Sequence, residues 1–126
     1  MNVQQIPQQI SLGFDRQHTA MVFIRARPEC FRPDFAAWLA DNWSVYENFE
    51  REALRLQARG FRHHSARSIW HYLRHETDLR EGPNEHGFKL NNNWSPCVGR
   101  LAMMMEPRLA GFFETRTGPT SGRLAA

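Results

Sequence analysis

Between residues 44 and 79 the chain contains no proline and one glycine, Gly60. Apolar residues recur on both sides of that glycine at helical spacing, which constrains the stretch to two helices joined at Gly60. In the first, Val45, Phe49, Ala53 and Leu56 form one apolar stripe. Ser44 and Glu47 match the S-x-x-E capping box, which satisfies two backbone donors at a helix start. Such a cap contributes ~1 kcal/mol. Gly60 is expected to close this helix in a left-handed cap. A short turn over 61–64 then leads to Ser65, the expected N-cap of a helix over 66–79. Ile69, Trp70, Leu73 and Thr77 fall on its inner face.

The remaining chain arranges itself around that pair. A length of 126 residues fits one domain, and such a domain buries a core without disulfide staples. Cys30 and Cys97 share no motif spacing and read as reduced, buried residues. Residues 1–18 are Gln-rich and are expected to be a loose, flexible N-terminus. The β-branched and aromatic run over 19–27 (TAMVFIRAR) is a strand candidate ended by Pro28. Asp34 opens a short helix to Asp41, with Phe35, Trp38 and Leu39 on its apolar side. Residues 81–86 read as a loop and 87–90 as a strand. Asn91, Asn92 and Asn93 read as a polar turn. Ser95 is expected to cap a further helix with Pro96 at its first position. Val98, Leu101, Ala102 and Met105 form its core face, and Glu106-Pro107 ends it. Residues 111–116 (GFFETR) are a second strand candidate. The fold class is therefore mainly α with a small β component. It is a helix-turn-helix or winged-helix-like single domain over 19–116, with the helix pair at 44–80, a β-α-β segment at 87–116 and a loose tail at 117–126. A helix between the two wing strands departs from the usual wing hairpin.

The formal net charge is only +3, but it is unevenly placed. Residues 51–80 hold seven arginines against three acids, a local net charge of +4, and the rest of the chain carries −1. His63, His64, His71 and His75 fall in the same segment. Fifteen of the sixteen basic residues are arginine, whose planar fork suits phosphates and carboxylates. Arg51, Arg55 and Arg59 form one ridge of the first helix. Arg67, His71 and Arg74 lie opposite the apolar face of the second, and Arg62 sits in the turn. In a helix-turn-helix one helix enters the major groove while the other crosses the backbone, so these seven residues are the candidate nucleic-acid or partner contacts. The competing reading is a solvated basic face offset by Glu47, Glu52 and Asp78.

Other constellations carry less. His71 and His75 have the spacing of two metal ligands on one helix, but no third ligand accompanies them. Met103 is expected to point outward beside Gly99, a small contact patch or an ordinary exposed spot. Glu76, Asp78, Glu81 and Glu85 straddle a helix end and a loop, unlike the clustered carboxylates of a metal nuclease. No nucleophile elbow and no Gly-rich phosphate loop occurs. The N-terminus lacks a secretory pattern, and the longest apolar run, residues 20–24, falls far short of the ~20 residues a membrane helix needs. A soluble protein without cofactor or metal is expected.

Three segments together resemble a small family of phage and prophage proteins: NWSVYENFEREALRLQARG, HHSARSIWHYLR and FKLNNNWSPCVGRLAMMMEPRLAGFFETR. That family shows an R-x-x-W-x-x-x-R-like helix and an F-K-L-N-[ND]-N-aromatic-x-P block. The resemblance spans residues 42–116; residues 1–41 stand outside it, and Cys97-Val98-Gly99 departs from the pattern. It implies a gene acting in the cytoplasm of a bacterial host and carries no catalytic residue over. The expected activity is non-enzymatic DNA binding, with inhibition of a host or anti-phage defence enzyme as the alternative. The partner is double-stranded DNA or a host protein, with a homodimer left open and no membrane involved.

Overall fold

The computed structural model describes the backbone of residues 8–83 and 91–114, and side chains from Asp15 onward within those ranges. Five α-helices occur among the described residues. The first, α1 (Gln8–Ala26), takes the place of the loose segment expected over 8–18 and of the strand expected over 19–27, while residues 1–7 lie outside the described residues. Its β-branched residues weaken helix propensity only slightly, and tertiary packing overrides that preference. Ala20 and Ile24, one turn apart, are buried in the core. The Thr19 hydroxyl donates to the Asp15 carbonyl at 2.8 Å, so even the hydroxyl is satisfied inside the helix. Pro28 opens a 3-10 turn, Pro28–Cys30, that ends α1.

Helix α2 (Phe35–Asp41) buries Phe35, Trp38 and Leu39, as the sequence predicts. It runs almost directly into α3 (Trp43–Ala58), with Asn42 as the joint. The amides of Val45 and Tyr46 both donate to the Asn42 carbonyl, so Ser44 already lies inside the first turn. The capping box at Ser44 and Glu47 therefore does not form, and no side chain caps α3. The buried stripe is Tyr46, Phe49, Glu50 and Ala53. Val45 and Leu56 are half-buried instead, because the face that α3 turns to α4 (Ala66–Glu81), α5 (Ser95–Met105) and the 3-10 segment Pro107–Leu109 is the one carrying Tyr46, Phe49 and Ala53.

The end of α3 is a Schellman motif. Gly60 has φ +105°, its amide donates to the Gln57 carbonyl at 3.0 Å, and the Phe61 amide donates to the Leu56 carbonyl at 3.3 Å. Helix α4 (Ala66–Glu81) starts where expected, with the Ser65 hydroxyl accepting from the Ser68 amide at 3.1 Å. Ile69, Trp70 and Leu73 are buried, and the Trp70 indole donates to the Asn91 carbonyl at 3.0 Å.

The short α5 (Ser95–Met105) is the central element and packs on α1, α3 and α4. Ser95 is its first residue and not its cap; the hydroxyl donates back to the Asn92 carbonyl at 3.1 Å. Asn91 accepts from the Asn93 amide at 2.8 Å, giving the polar turn expected there. Gly99 is buried, and a methyl group placed on it would lie 3.2 Å from the Ala66 side chain. The outward patch expected at Met103 and Gly99 is instead the contact that brings α5 against α4, with Met103 itself half-buried. Beside this helix Trp38, Trp70, Trp94 and Phe35 form one aromatic cluster, with Trp38 stacked on Trp94 at 5.2 Å. Cys30 and Cys97 are free and buried. Burial raises the Cys97 thiol pKa.

No sheet forms among the described residues. The strand expected over 111–116 is reduced, where described, to a single parallel bridge between His64 and Phe113. The segment at 87–90 and the tail at 117–126 lie outside the described residues. The molecule is thus mainly helical, and no two-stranded wing forms among the described residues: the chain after α5 turns through the 3-10 segment Pro107–Leu109 and inserts Leu109, Phe112 and Phe113 into the core.

Candidate functional site

Helices α3 and α4 run antiparallel along their length. Ser44, Val45 and Asn48 face Leu73, Thr77 and Arg80 at one end. Glu52 and Leu56 face Ser68, Ile69 and Tyr72 at the other. This is a helical hairpin, and its geometry sorts the seven candidate contacts into two groups.

Three of them are engaged. Arg51 donates to Asn48 at 2.7 Å, Arg55 pairs with Glu52 at 2.8 Å, and Arg74 donates to Asn92 at 3.2 Å. These contacts also separate the rows: Arg74 looks toward the turn before α5, while Arg51 and Arg55 lie on the solvent side of α3. Between them Tyr72 donates to Glu76 at 2.9 Å. The Tyr72 phenol is shifted up, first by that hydrogen bond and then by the charge of Glu76, with Glu52 adding to it. The outer face of the pair is therefore of mixed charge.

Arg59, Arg62, Arg67 and His71 are exposed, and their side chains make no hydrogen bond or ion pair among the described residues. Arg59, Arg62 and Arg67 gather around the turn that joins α3 to α4. His71 lies one turn further along α4. The turn is held firmly. Besides the Schellman bonds, the His64 amide donates to the Phe112 carbonyl at 3.1 Å, and the His63 ring lies 3.2 Å from the Gly111 carbonyl. The positive end of the α4 dipole adds to the potential there. Opposing charge comes from Glu114, which lines a broad hollow with His63, His64 and Ser65, and from Glu52, which lines another with His64 and Ser68.

Phe61 sits in the same turn and is 49% exposed. The sequence reading passed over it, although its place directly after Gly60, between Arg59 and Arg62, was visible. His64 meets its ring nearly at right angles, with centroids 5.4 Å apart.

A second charged cluster was also missed. Glu50, 7% exposed, accepts from Arg16 at 2.6 and 2.5 Å and from the Tyr46 hydroxyl at 2.8 Å. The Arg16 guanidinium also lies 5.9 Å from the Trp43 ring. Burial pushes the Tyr46 phenol far up, and the neighbouring Glu50 charge adds to the shift. Arg16 is raised as well; burial, the largest single cause, opposes the charge, and the Glu50 hydrogen bond together with the charges of Glu50, Tyr46 and Glu47 outweighs it. The only sequence signal was an arginine in a segment expected to be loose. The cluster fastens α1 to α3, and its carboxylate has both oxygens occupied, so it is built for holding and not for proton transfer.

His71 and His75 are both exposed, and no three His, Cys, Asp or Glu residues converge as a metal site among the described residues. No helix is long and apolar enough to cross a membrane among the described residues. No family model, no curated protein and no solved structure matches the chain.

Proposed function

We propose that this protein is a non-enzymatic DNA-binding protein that grips the phosphate backbone with the turn between α3 and α4. The observation that carries this reading is the set Arg59, Arg62 and Arg67, exposed and without a side-chain partner among the described residues, around a turn in which the Gly60, Phe61 and His64 amides are hydrogen-bonded. Arginine side chains that stabilise nothing internally are free to neutralise phosphates, and a rigid turn presents them at low entropic cost. In this reading the helix-turn-helix-like pair meets DNA end-on. A winged helix would instead lay α4 lengthwise in a groove, where Glu76 and Asp78 oppose the phosphates. The resemblance to phage and prophage proteins supports a gene acting within a bacterial host, where a DNA-binding role would be regulatory.

Fluorescence anisotropy with a labelled duplex, titrated over a range of salt, tests it. Affinity should fall on a log–log plot with a slope of about −0.9 for each phosphate contacted. The Arg59→Ala, Arg62→Ala, Arg67→Ala triple variant should flatten that slope. Absence of binding to both duplex and single-stranded DNA at low salt overturns the reading.

A second reading, an inhibitor that docks on a host or defence protein, has its own observation. Tyr72 and Leu79, about two turns apart along α4, are 45% and 70% exposed, and exposed aromatic and aliphatic residues beside arginines are typical anchors of protein interfaces. A stoichiometric complex captured from bacterial lysate, lost on Leu79→Asp and insensitive to nuclease, would favour it over DNA.

A further inference from the structure

We infer that the α3–α4 turn recognises unpaired bases, so that the preferred partner is a single-stranded stretch of nucleic acid, with Phe61 as the stacking platform. The inference rests on the nucleic-acid reading above and deepens it.

Phe61 occupies the position after the glycine of a Schellman motif. A hydrophobic residue there normally folds down against the last helical turn, here at Leu56. Phe61 keeps 49% of its surface open instead. Among the described residues no ring stacks parallel to it; His64 meets it at 82° and holds one side. Its own amide is fixed to the Leu56 carbonyl, and Gly60 takes the positive φ that aims the chain outward. The exposure is thus imposed by an ordered turn.

The surroundings point to the occupant. Arg59 and Arg62 lie within two residues of the ring, and Arg67 follows in the first turn of α4; all three are exposed and unengaged. An exposed aromatic face flanked along the chain by exposed arginines without a partner among the described residues matches the two requirements of single-strand binding, a stacking surface for the base and cations for the backbone. A duplex satisfies only the second, because pairing and stacking hide the faces of its bases. A protein partner would also use an aromatic ring beside arginines, and the oligonucleotide titrations below separate it from a single strand. Stacking is indifferent to base identity, and in this inference the arginines serve the backbone, so sequence preference should be weak.

The test compares a labelled oligothymidylate, an oligouridylate and a duplex of equal length, each titrated with the full chain by anisotropy. Single strands should bind more tightly than the duplex. Phe61→Ala should weaken single-strand binding about tenfold or more, as loss of a base–aromatic stack does, and leave duplex affinity within about twofold. Phe61→Trp should retain single-strand binding, which controls for any disturbance of the turn by the alanine variant. Similar affinity for the DNA and RNA strands fits the shared stacking chemistry. The inference is overturned if Phe61→Ala leaves single-strand affinity unchanged, or if the duplex binds at least as tightly as the single strands. In either case duplex binding keeps the broader reading alive, whereas failure of all three probes removes both.

Discussion

Arg16 and Arg62 are the same residue type in the same small domain, and the structure gives them opposite tasks. Arg16 lies against a buried carboxylate, doubly hydrogen-bonded to Glu50 and joined there by Tyr46. Arg62, with Arg59 and Arg67, stands in water and touches no partner among the described residues. The first cluster spends its charge on holding α1 to α3. The second leaves its charge available. In an arginine-rich chain, local net charge alone does not mark a binding surface; what marks it is which arginines remain after the internal partners have been assigned.

The comparison breaks first at Glu50. Glu50→Ala leaves the Arg16 charge and the Tyr46 hydroxyl without their acceptor. Loss of one partner of a buried pair costs about 3–5 kcal/mol, and Arg16 retains enough solvent contact to bring the expectation to about 2–4 kcal/mol. Urea denaturation should show that loss, while oligonucleotide affinity, measured under conditions where the variant is folded, should hold. A change in affinity with unchanged stability would put Glu50 in the binding site and undo the division.

Tyr46→Phe sharpens the same region and should cost about 1.5–3 kcal/mol, the range for a hydrogen bond to a charged group. Its pH signature is more telling. The folded Tyr46 phenol is held well above its ordinary value of about 10. Above that pH the unfolded chain releases the proton and the folded one keeps it, so stability must fall as pH rises beyond about 10. Denaturation midpoints from pH 8 upward should therefore fall less steeply in Tyr46→Phe than in the parent. Parallel profiles would mean that the phenol is not held neutral by burial.

At the turn the effects on stability shrink. Ser65→Ala removes the hydroxyl that accepts from Ser68 and should cost about 1 kcal/mol. It should weaken oligonucleotide binding only as far as it loosens the turn. Smallest of all is the stability effect of the Arg59, Arg62, Arg67 triple alanine variant. Its thermal midpoint should match the parent, because those side chains hold nothing, while its nucleic-acid affinity should show the main loss. A large drop in midpoint would place these arginines with Arg16 and erase the contrast.

Much of this architecture was legible along the chain where a local physical rule acts alone. Gly60 and Ser65 punctuate the helix pair as expected, because a left-handed cap and a hydroxyl N-cap need only neighbouring residues. The core positions Phe35, Trp38, Leu39, Ile69, Trp70, Leu73, Val98 and Leu101 are buried as their periodicity predicts. The run at 19–27 was misread as a strand, because Val22 and Ile24 carry a β preference that says nothing of the core surface waiting for Ala20 and Ile24. The capping box at Ser44 failed for a similar reason: the motif is satisfiable in isolation, but α2 delivers the chain to Asn42 already turning. Among the candidate contacts, the sequence identified which residues are basic and which face outward from each helix. It did not show that Arg51, Arg55 and Arg74 are taken up by Asn48, Glu52 and Asn92, nor that Phe61 stays open.

The sequence by itself thus determined a mainly helical chain, the two helices about Gly60, and a local excess of arginine. All of these follow from spacing, capping and composition, which are properties of neighbours. The tertiary structure alone decided that the pair is an antiparallel hairpin, that α5 and not the pair forms the centre, and that no wing is built where the chain is described. It also decided which charges are internal. Glu50 lies 34 residues from Arg16, and Asn92 lies 18 from Arg74. Partners that distant meet only when packing brings their helices together, and that meeting separates the arginines that hold the fold from those left free to bind.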